Sequence, residues 1–237
     1  MMDWREDCLH KIVQSAHSSS EVVRALAGIV GGLGFDYCSY VLHLPLPLTE
    51  PQVFWSSTYP NQWLEYYFSH NYLGIDPLLR RLNADPAPIV WQSSSFDSEP
   101  AFWEEADAHG VRHGWAMSTR GNTFTTGMLS LARSHDAVTS AELEATEARL
   151  VWLAHTAHGA IARIEGKKLH ENIEELSRRE REVLRWTAAG KTAGEVGIVL
   201  GISERTVHFH IMRALAKLNA VNKTQAVMTA TMLGMLS

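Results

Sequence analysis

The segment SRREREVLRWTAAGKTAGEVGIVLGISERTVHFHIMRALAK, residues 177–217, decides the fold of the last third of this 237-residue chain. Ser177 precedes Glu180 by three residues, and Thr192 precedes Glu195 by the same interval. This is the spacing of a capping box at a helix start. The segment therefore predicts two helices, which cover residues 178–190 and 193–200 and end at Gly190 and Gly201.

A third helix is predicted over residues 204–218, with Ser203 as its N-cap, and Asn222 begins a fourth. A short helix, a three-residue turn containing glycine and a longer amphipathic helix form a helix-turn-helix, which is a DNA-binding motif. An ordinary four-helix bundle has the same pattern, so this alternative stays open. The apolar face of the third helix consists of Val207, Ile211, Leu215 and Leu218.

The charge balance differs between the two parts of the chain. Residues 1–166 contain 10 Lys+Arg and 19 Asp+Glu, whereas residues 167–237 contain 11 and 7. Because a basic module is attracted to phosphate, we expect the last third to bind double-stranded DNA with helix 204–218 in the major groove. The residues expected near bases or phosphates are Lys191, Thr192, Ser203, Arg205, Thr206, His208, Phe209, Met212, Arg213 and Lys217.

Residues 176–227, about fifty contiguous residues, resemble the DNA-binding domain of the LuxR family of transcription factors. The glutamate, leucine and glycine of that family fall on Glu180, Leu184 and Gly190, and its S-x-R-T-V-x-x-H stretch begins at Ser203. Two positions depart from the family pattern: His208 stands where lysine is common, and Arg213 where asparagine is common. The resemblance implies a transcription regulator with an all-α, four-helix C-terminal domain.

The N-terminal part alternates between helical and strand patterns, which favours an α+β domain, an α-β-α sandwich with a central antiparallel sheet. Helices are predicted over residues 4–16, 20–33, 60–70, 77–83 and 100–109, and Gly34 ends the second of them. Strands are predicted over residues 35–44, 52–57, 88–92, 114–120 and 126–133, with the turn-rich segment 45–51 between the first two.

A long helix is predicted over residues 140–165, because Thr139 and Glu142 form a capping box and apolar residues recur through Ile164. A helix of this length, about 39 Å, crosses the sheet and offers a stripe to a second copy; a helix that only faces the core is the alternative. The predicted domains are a ligand-binding and dimerisation domain over residues 1–165, a linker over 166–175 and the DNA-binding domain over 176–237.

LuxR-type DNA-binding domains occur with phosphorylated receiver domains and with quorum-sensing receptors. The acidic pair, aspartate and late lysine of a receiver are not found here. Residues 20–165 resemble instead the autoinducer-binding domain of acyl-homoserine-lactone receptors, and "FWEEA" and "MLSLAR" are most similar to orphan receptors of the QscR type, which accept long acyl chains. The matching positions are Tyr59, Trp63, Tyr67, Asp76, Pro77, Trp91, Gly110, Arg112, Gly114 and Ser130.

The chemistry of such a ligand fits these residues. Asp76 accepts from the amide N–H, the Trp63 indole donates to the lactone carbonyl, and the hydroxyls of Tyr59 and Ser130 suit the acyl carbonyl. Asp76 before Pro77 is also a simple helix cap, and the aromatic residues are also suited to a core. The other residues expected in the pocket are Tyr67, Tyr72 and Trp91 around the headgroup, Val41, Phe54, Trp55 and Leu129 along the chain, and Ser39 and His43 as polar contacts.

The sequence therefore predicts a homodimeric regulator that binds an N-acyl homoserine lactone of medium to long chain and a palindromic promoter site. A LuxR-type regulator that senses another small molecule, or none, is the alternative. We expect no cofactor, metal or catalysis: His43, His109 and His113 with Asp107 lack a metal-binding spacing. No signal peptide or apolar run of eighteen residues is found, so a cytoplasmic protein is expected. Cys8 and Cys38 are predicted to be buried thiols.

Overall fold

The computed structural model describes residues 3–14, 16–46, 51–92, 99–121, 124–170 and 173–236. The chain divides into two units: residues 1–44, 52–121 and 125–165 form the first, and residues 45–51, 122–124 and 166–237 form the second. Parts of the predicted turn 45–51 and linker 166–175 lie outside the described residues.

The first unit contains a five-stranded antiparallel sheet whose spatial order is β2-β1-β5-β4-β3. Hairpin neighbours β1 and β2 lie at one edge, and β3 pairs with β4 at the other, so β5 is central. The strands are β1 Tyr37–Leu44, β2 Gln52–Ser57, β3 Ile89–Gln92, β4 His113–Arg120 and β5 Thr126–Arg133. The predicted α+β fold and all five strands are confirmed.

Six α-helices lie among the described residues of this sheet-containing part of the chain. Ser18 caps α2 by accepting from Glu21 N, and the Thr139–Glu142 capping box starts α6 as predicted. The first predicted helix is split, because α1 passes into a π-helical turn over His10–Gln14. The helices are α1 Trp4–Leu9, α2 Ser19–Gly31, α3 Asn61–Ser69, α4 Pro77–Ala84, α5 Pro100–Ala108 and α6 Ser140–His170, and Tyr72–Gly74 form a 3₁₀ turn.

A buried histidine joins α6 to the sheet. His158 Nδ1 lies 2.8 Å from the Tyr40 hydroxyl and 2.9 Å from Thr119 Oγ1, and Nε2 lies 3.1 Å from Thr125 Oγ1. Burial lowers the pKa of His158 to about 4, so the imidazole is neutral at pH 7. Gly127 leaves room for this group, since a Cβ there would lie 2.1 Å from the Tyr40 hydroxyl oxygen.

The second unit contains four short helices, as predicted. Both capping boxes are formed: in Ser177 with Glu180 and in Thr192 with Glu195, each side chain accepts a hydrogen bond from the backbone N–H of the other residue. Gly197 brings α8 close to the following turn, because a Cβ there would lie 2.7 Å from the carbonyl oxygen of Ile202. The helices are α7 Arg178–Ala188, α8 Ala193–Leu200, α9 Glu204–Lys217 and α10 Lys223–Met232.

Two further expectations concern the whole chain. Cys8 and Cys38 are buried free thiols, which confirms that prediction. Within the described ranges, no helix is both long enough and apolar enough to span a bilayer.

Candidate functional site

The register of β1 and β5 places a row of side chains on one face of the sheet. Ser39 and Val41 of β1 are paired with Ser130 and Met128 of β5. Because side chains alternate along a strand, these four residues point to the same side. Helices α3 and α4 cover them, since residues from both helices line the same cavity as these strand residues.

Asp76 lies at the N-terminus of α4 and performs two roles. Its Oδ1 caps the helix by accepting hydrogen bonds from Leu78 N at 2.8 Å and Leu79 N at 3.3 Å. Its Oδ2 accepts from the Tyr67 hydroxyl at 2.9 Å, and the carboxyl group lines the cavity. Burial raises the pKa of the Asp76 carboxyl, while these three hydrogen bonds oppose the shift.

Two further polar pairs line the same cavity. The Tyr59 hydroxyl lies 3.0 Å from Ser130 Oγ, and the Trp55 indole donates to Ser39 Oγ at 3.1 Å. Burial raises the pKa of Tyr59, so its hydroxyl stays protonated and can donate to a ligand. Hydroxyl pairs of this kind exchange partners readily, because each oxygen both donates and accepts.

Trp91 is held flat against β4 by the absence of a side chain at Gly114. A Cβ on Gly114 would lie 2.5 Å from Trp91 Cζ2 and 2.0 Å from the carbonyl oxygen of Leu131. Trp91 is buried, lines the cavity and packs at 5.8 Å against the ring of Trp103.

Nine of the thirteen predicted ligand-binding residues line this cavity. Its empty space, including the part that is open to solvent, is about 610 Å³. The nine are Ser39, Val41, Trp55, Tyr59, Trp63, Tyr67, Asp76, Trp91 and Ser130; the lining residues that the sequence analysis missed are Leu64, Phe68, Leu73, Leu78, Leu79, Phe102, Trp103, Ala106, Val111 and Met128.

Four predicted residues do not line it, and their contact with a ligand stays a prediction. Phe54 and Leu129 are the immediate neighbours of Trp55 and Ser130, so strand alternation turns them to the opposite face. Tyr72 is buried behind the lining, with its ring 5.1 Å from that of Phe102. His43 points to the correct face but lines an adjacent, separate cavity.

The predicted DNA-binding face of the second unit is exposed on α9. Arg205, His208, Phe209, Met212 and Arg213 are all exposed, and large apolar side chains stand in water at Phe209 and Met212, 55% and 65% exposed. Ser203 and Thr206 are hydrogen bonded to each other at the start of the helix, and Thr192 caps α8 beside Lys191.

Lys217, unlike the exposed residues of α9, makes hydrogen bonds within the second unit. Its Nζ donates to Glu180 Oε2 at 2.8 Å and to the carbonyl oxygen of Glu175 at 2.9 Å, while Glu174 N donates to the carbonyl oxygen of Lys217. Since Glu180 is buried, Lys217 compensates its charge. Lys217 therefore holds the unit together, and its contact with DNA stays a prediction.

The two parts of the chain match two protein families. Residues 18–161 match the family described as the autoinducer binding domain. Residues 174–230 match the family described as bacterial regulatory proteins, luxR family.

Relatives are similar over the whole length. The chain is 39% identical to the transcriptional activator protein AnoR of Acinetobacter nosocomialis, over 100% of both chains. It is 36% identical to the HTH-type quorum-sensing regulator RhlR of Pseudomonas aeruginosa, over 97% of this chain and 95% of the relative.

Solved structures match as well. The crystal structure of Escherichia coli SdiA matches with a TM-score of 0.82 and 32% identity, over 99% of this chain and 98% of that chain. A structure described as SdiA in complex with octanoyl-rac-glycerol matches with a TM-score of 0.81 and 32% identity, over 100% and 98%.

Proposed function

Because the chain belongs to the luxR family of bacterial regulatory proteins that carry an autoinducer-binding domain, we propose that it binds an N-acyl homoserine lactone and, as a homodimer, a palindromic DNA site. It is a transcriptional regulator, not an enzyme. One observation carries the ligand proposal: the buried Asp76 carboxylate and the Tyr59–Ser130 hydroxyl pair line one otherwise apolar cavity.

Each polar group of the lactone has a complement in the cavity. Asp76 Oδ2 accepts from the ligand amide N–H beside the hydrogen bond from Tyr67, since a carboxylate oxygen takes two donors. The hydroxyls of Tyr59 and Ser130 donate to the acyl carbonyl, and the indole of Trp63 donates to the lactone carbonyl. Trp91 and Trp103 then wall the lactone ring.

Affinity and selectivity come from different parts of the ligand. Burial of an eight-carbon tail contributes roughly 5 kcal/mol, at about 0.8 kcal/mol per methylene. A hydrogen bond contributes about 1 kcal/mol, but an unpaired buried group costs about 1–3 kcal/mol. The apolar lining therefore sets affinity, and the polar residues reject ligands that lack the amide.

The DNA proposal rests on the exposed face of α9. Two copies of α9 related by a two-fold axis enter successive major grooves, and Arg205, His208 and Arg213 contact base edges or phosphates. Residues 1–165 supply ligand binding and dimerisation, residues 166–175 the link, and residues 176–237 the DNA contact.

A thermal unfolding series tests the proposal. Full-length protein is heated with saturating homoserine lactones of graded acyl length, and we expect the melting temperature to rise, because a ligand that binds only the folded state stabilises it by mass action. Equal melting temperatures with and without every lactone contradict the proposal. Fluorescence anisotropy with a palindromic duplex, and light scattering for mass, test the DNA and dimer components separately.

A second candidate ligand is a monoacylglycerol. A relative of the same fold is described in complex with octanoyl-rac-glycerol, which shares the acyl chain but has no amide N–H. Asp76 Oδ2 would then accept from a glycerol hydroxyl. The same melting assay with octanoylglycerol separates the candidates, because Asp76→Asn weakens the lactone and leaves a hydroxyl ligand, which donates or accepts, less affected.

A further inference from the structure

The ligand face of the sheet is built from three rungs of cross-strand neighbours from β1, β5 and β4. The first rung is polar and lies at the proposed headgroup site. The second is mostly apolar, and the third is polar again and contains a cation. The rungs are Ser39, Ser130 and Ala116; then Val41, Met128 and Ser118; then His43, Thr126 and Arg120.

The third rung belongs to a second cavity, the distal chamber. It is lined by His43, Asn83, Ser118, Arg120 and Thr126 among others, and it shares Leu79 and Met128 with the ligand cavity. Leu79 of α4 and Met128 of β5 therefore form the partition between the two cavities.

The distal chamber suits an oxygen-bearing group better than a methyl end. Arg120 is exposed, and no carboxylate lies within ion-pair distance of it in the described part of the chain. His43, Asn83 and Thr126 are exposed too, so an anion there keeps part of its hydration while it gains a charged partner.

We propose that the distal chamber is a subsite for an oxygen-bearing group, a carboxylate above all, at the far end of the ligand's acyl chain. The inference rests on the proposed function and adds the chemistry of the chain end. The chain runs from the first rung between Leu79 and Met128 to the third, where Arg120 and Thr126 bind its terminal oxygens.

The spacing of the rungs defines the chain length. Neighbouring rungs are two residues apart, so the second lies about 7 Å and the third about 14 Å from the first. An extended chain advances about 1.2 Å per bond, as a polypeptide does over the three bonds of each residue. An octanoyl chain thus ends just past Met128, and a dodecanoyl chain reaches Arg120.

The test compares four homoserine lactones on full-length protein: octanoyl, dodecanoyl, dodecanoyl ending in a carboxylate, and the methyl ester of the last. A buried methylene is worth about fourfold in affinity. Dodecanoyl should gain no more than about tenfold over octanoyl, because its last carbons enter the polar chamber. The carboxylate should bind about tenfold more tightly than its ester at low salt.

Variants on the sheet wall and on the α4 wall of the distal chamber change the affinity for different ligands. Arg120→Gln should abolish the preference for the carboxylate over the ester, whereas Arg24→Gln, an exposed arginine on α2, should keep it. Asn83→Leu makes the α4 wall apolar and should raise affinity for plain dodecanoyl.

Three results overturn the inference: equal affinity for carboxylate and ester, persistence of the preference in Arg120→Gln, or a full fourfold gain for every methylene up to twelve carbons. If plain lactones bind while one of these results is obtained, the distal subsite alone is wrong. If no lactone binds, the proposed function fails and the inference fails with it.

Discussion

The Tyr67 hydroxyl donates a hydrogen bond of 2.9 Å to Asp76 Oδ2, while Asp76 Oδ1 caps α4. One oxygen of this carboxylate therefore stabilises the start of α4, and the other is the oxygen bonded to Tyr67 at the ligand cavity. Substitutions can therefore remove one role without the other.

Asp76→Asn should reduce lactone affinity by about 10- to 100-fold, because a charge-assisted hydrogen bond of about 1.5–3 kcal/mol is lost. The ligand-free protein should melt no lower than wild type, because Asn caps a helix as well as Asp and no buried charge remains. Asp76→Ala should lose both the hydrogen bond to the ligand and the cap of α4, and the ligand-free protein should be about 1 kcal/mol less stable. Titration calorimetry and thermal unfolding of both variants separate the roles; a ligand-free Asn variant as unstable as the Ala variant would contradict this division.

Gly114→Ala should prevent formation of a stable first unit. Its Cβ would lie 2.0 Å from the Leu131 carbonyl oxygen, which is fixed in the β4–β5 ladder. Gly159→Ala on α6 is the matched control, since nothing lies within 4 Å of its added Cβ, and it should gain up to about 1 kcal/mol from helix propensity. Circular dichroism and urea unfolding measure both; a folded Gly114→Ala protein with normal lactone binding is the contrary result.

Because His158 is buried as a neutral imidazole, we expect the folded protein to lose stability in mild acid. Its pKa is lowered from 6.5 to about 4 by burial, so the unfolded chain binds a proton in a range where the folded protein does not. The stabilisation is complete above pH 6.5 and is lost as the pH falls towards 4, by up to about 3 kcal/mol.

Urea unfolding of His158→Gln should show a flatter pH dependence over that window. Glu142, whose pKa Arg133 and Thr139 lower to about 2, contributes mainly below about pH 4.5, so the slopes are compared above that pH. The same slope in wild type and variant between pH 6.5 and 4.5 would show that another group is responsible.

Lys217→Met should destabilise the second unit by about 1–3 kcal/mol, because the buried Glu180 carboxylate loses its 2.8 Å partner and keeps only the more distant Arg213, at 3.6 Å, as a cation. Lys191→Met, at an exposed lysine 3.7 Å from Glu195, should leave stability within about 0.5 kcal/mol and weaken DNA binding with a smaller salt dependence. Thermal unfolding and anisotropy at several salt concentrations test the pair. Unchanged stability of the Lys217 variant would contradict its structural role and leave DNA contact as the role to test.

Local signals in the sequence predicted the elements closely. Each capping box lies within four residues, so Ser177 and Thr192 place the starts of α7 and α8 correctly. The end of α6 was missed, because a polar segment does not stop a helix and Gly166 is tolerated within it.

The cavity was predicted less completely. Phe54 beside Trp55, and Leu129 beside Ser130, cannot share a face, so strand alternation applied strictly would have excluded the first of each pair and selected Met128. Tyr72 and His43 depend on which helix covers which part of the sheet, and the Lys217–Glu180 pair joins residues 37 positions apart. Tertiary packing decides these contacts, and no local pattern encodes them.

The hydrogen bonds between residues 174–175 and Lys217 fasten the segment before α7 to the last turn of α9. That segment and α9 are therefore joined at two points, one on the backbone and one on the Lys217 side chain. We expect a displacement of residues 174–175 to be transmitted directly to α9, which carries Arg205 and Phe209.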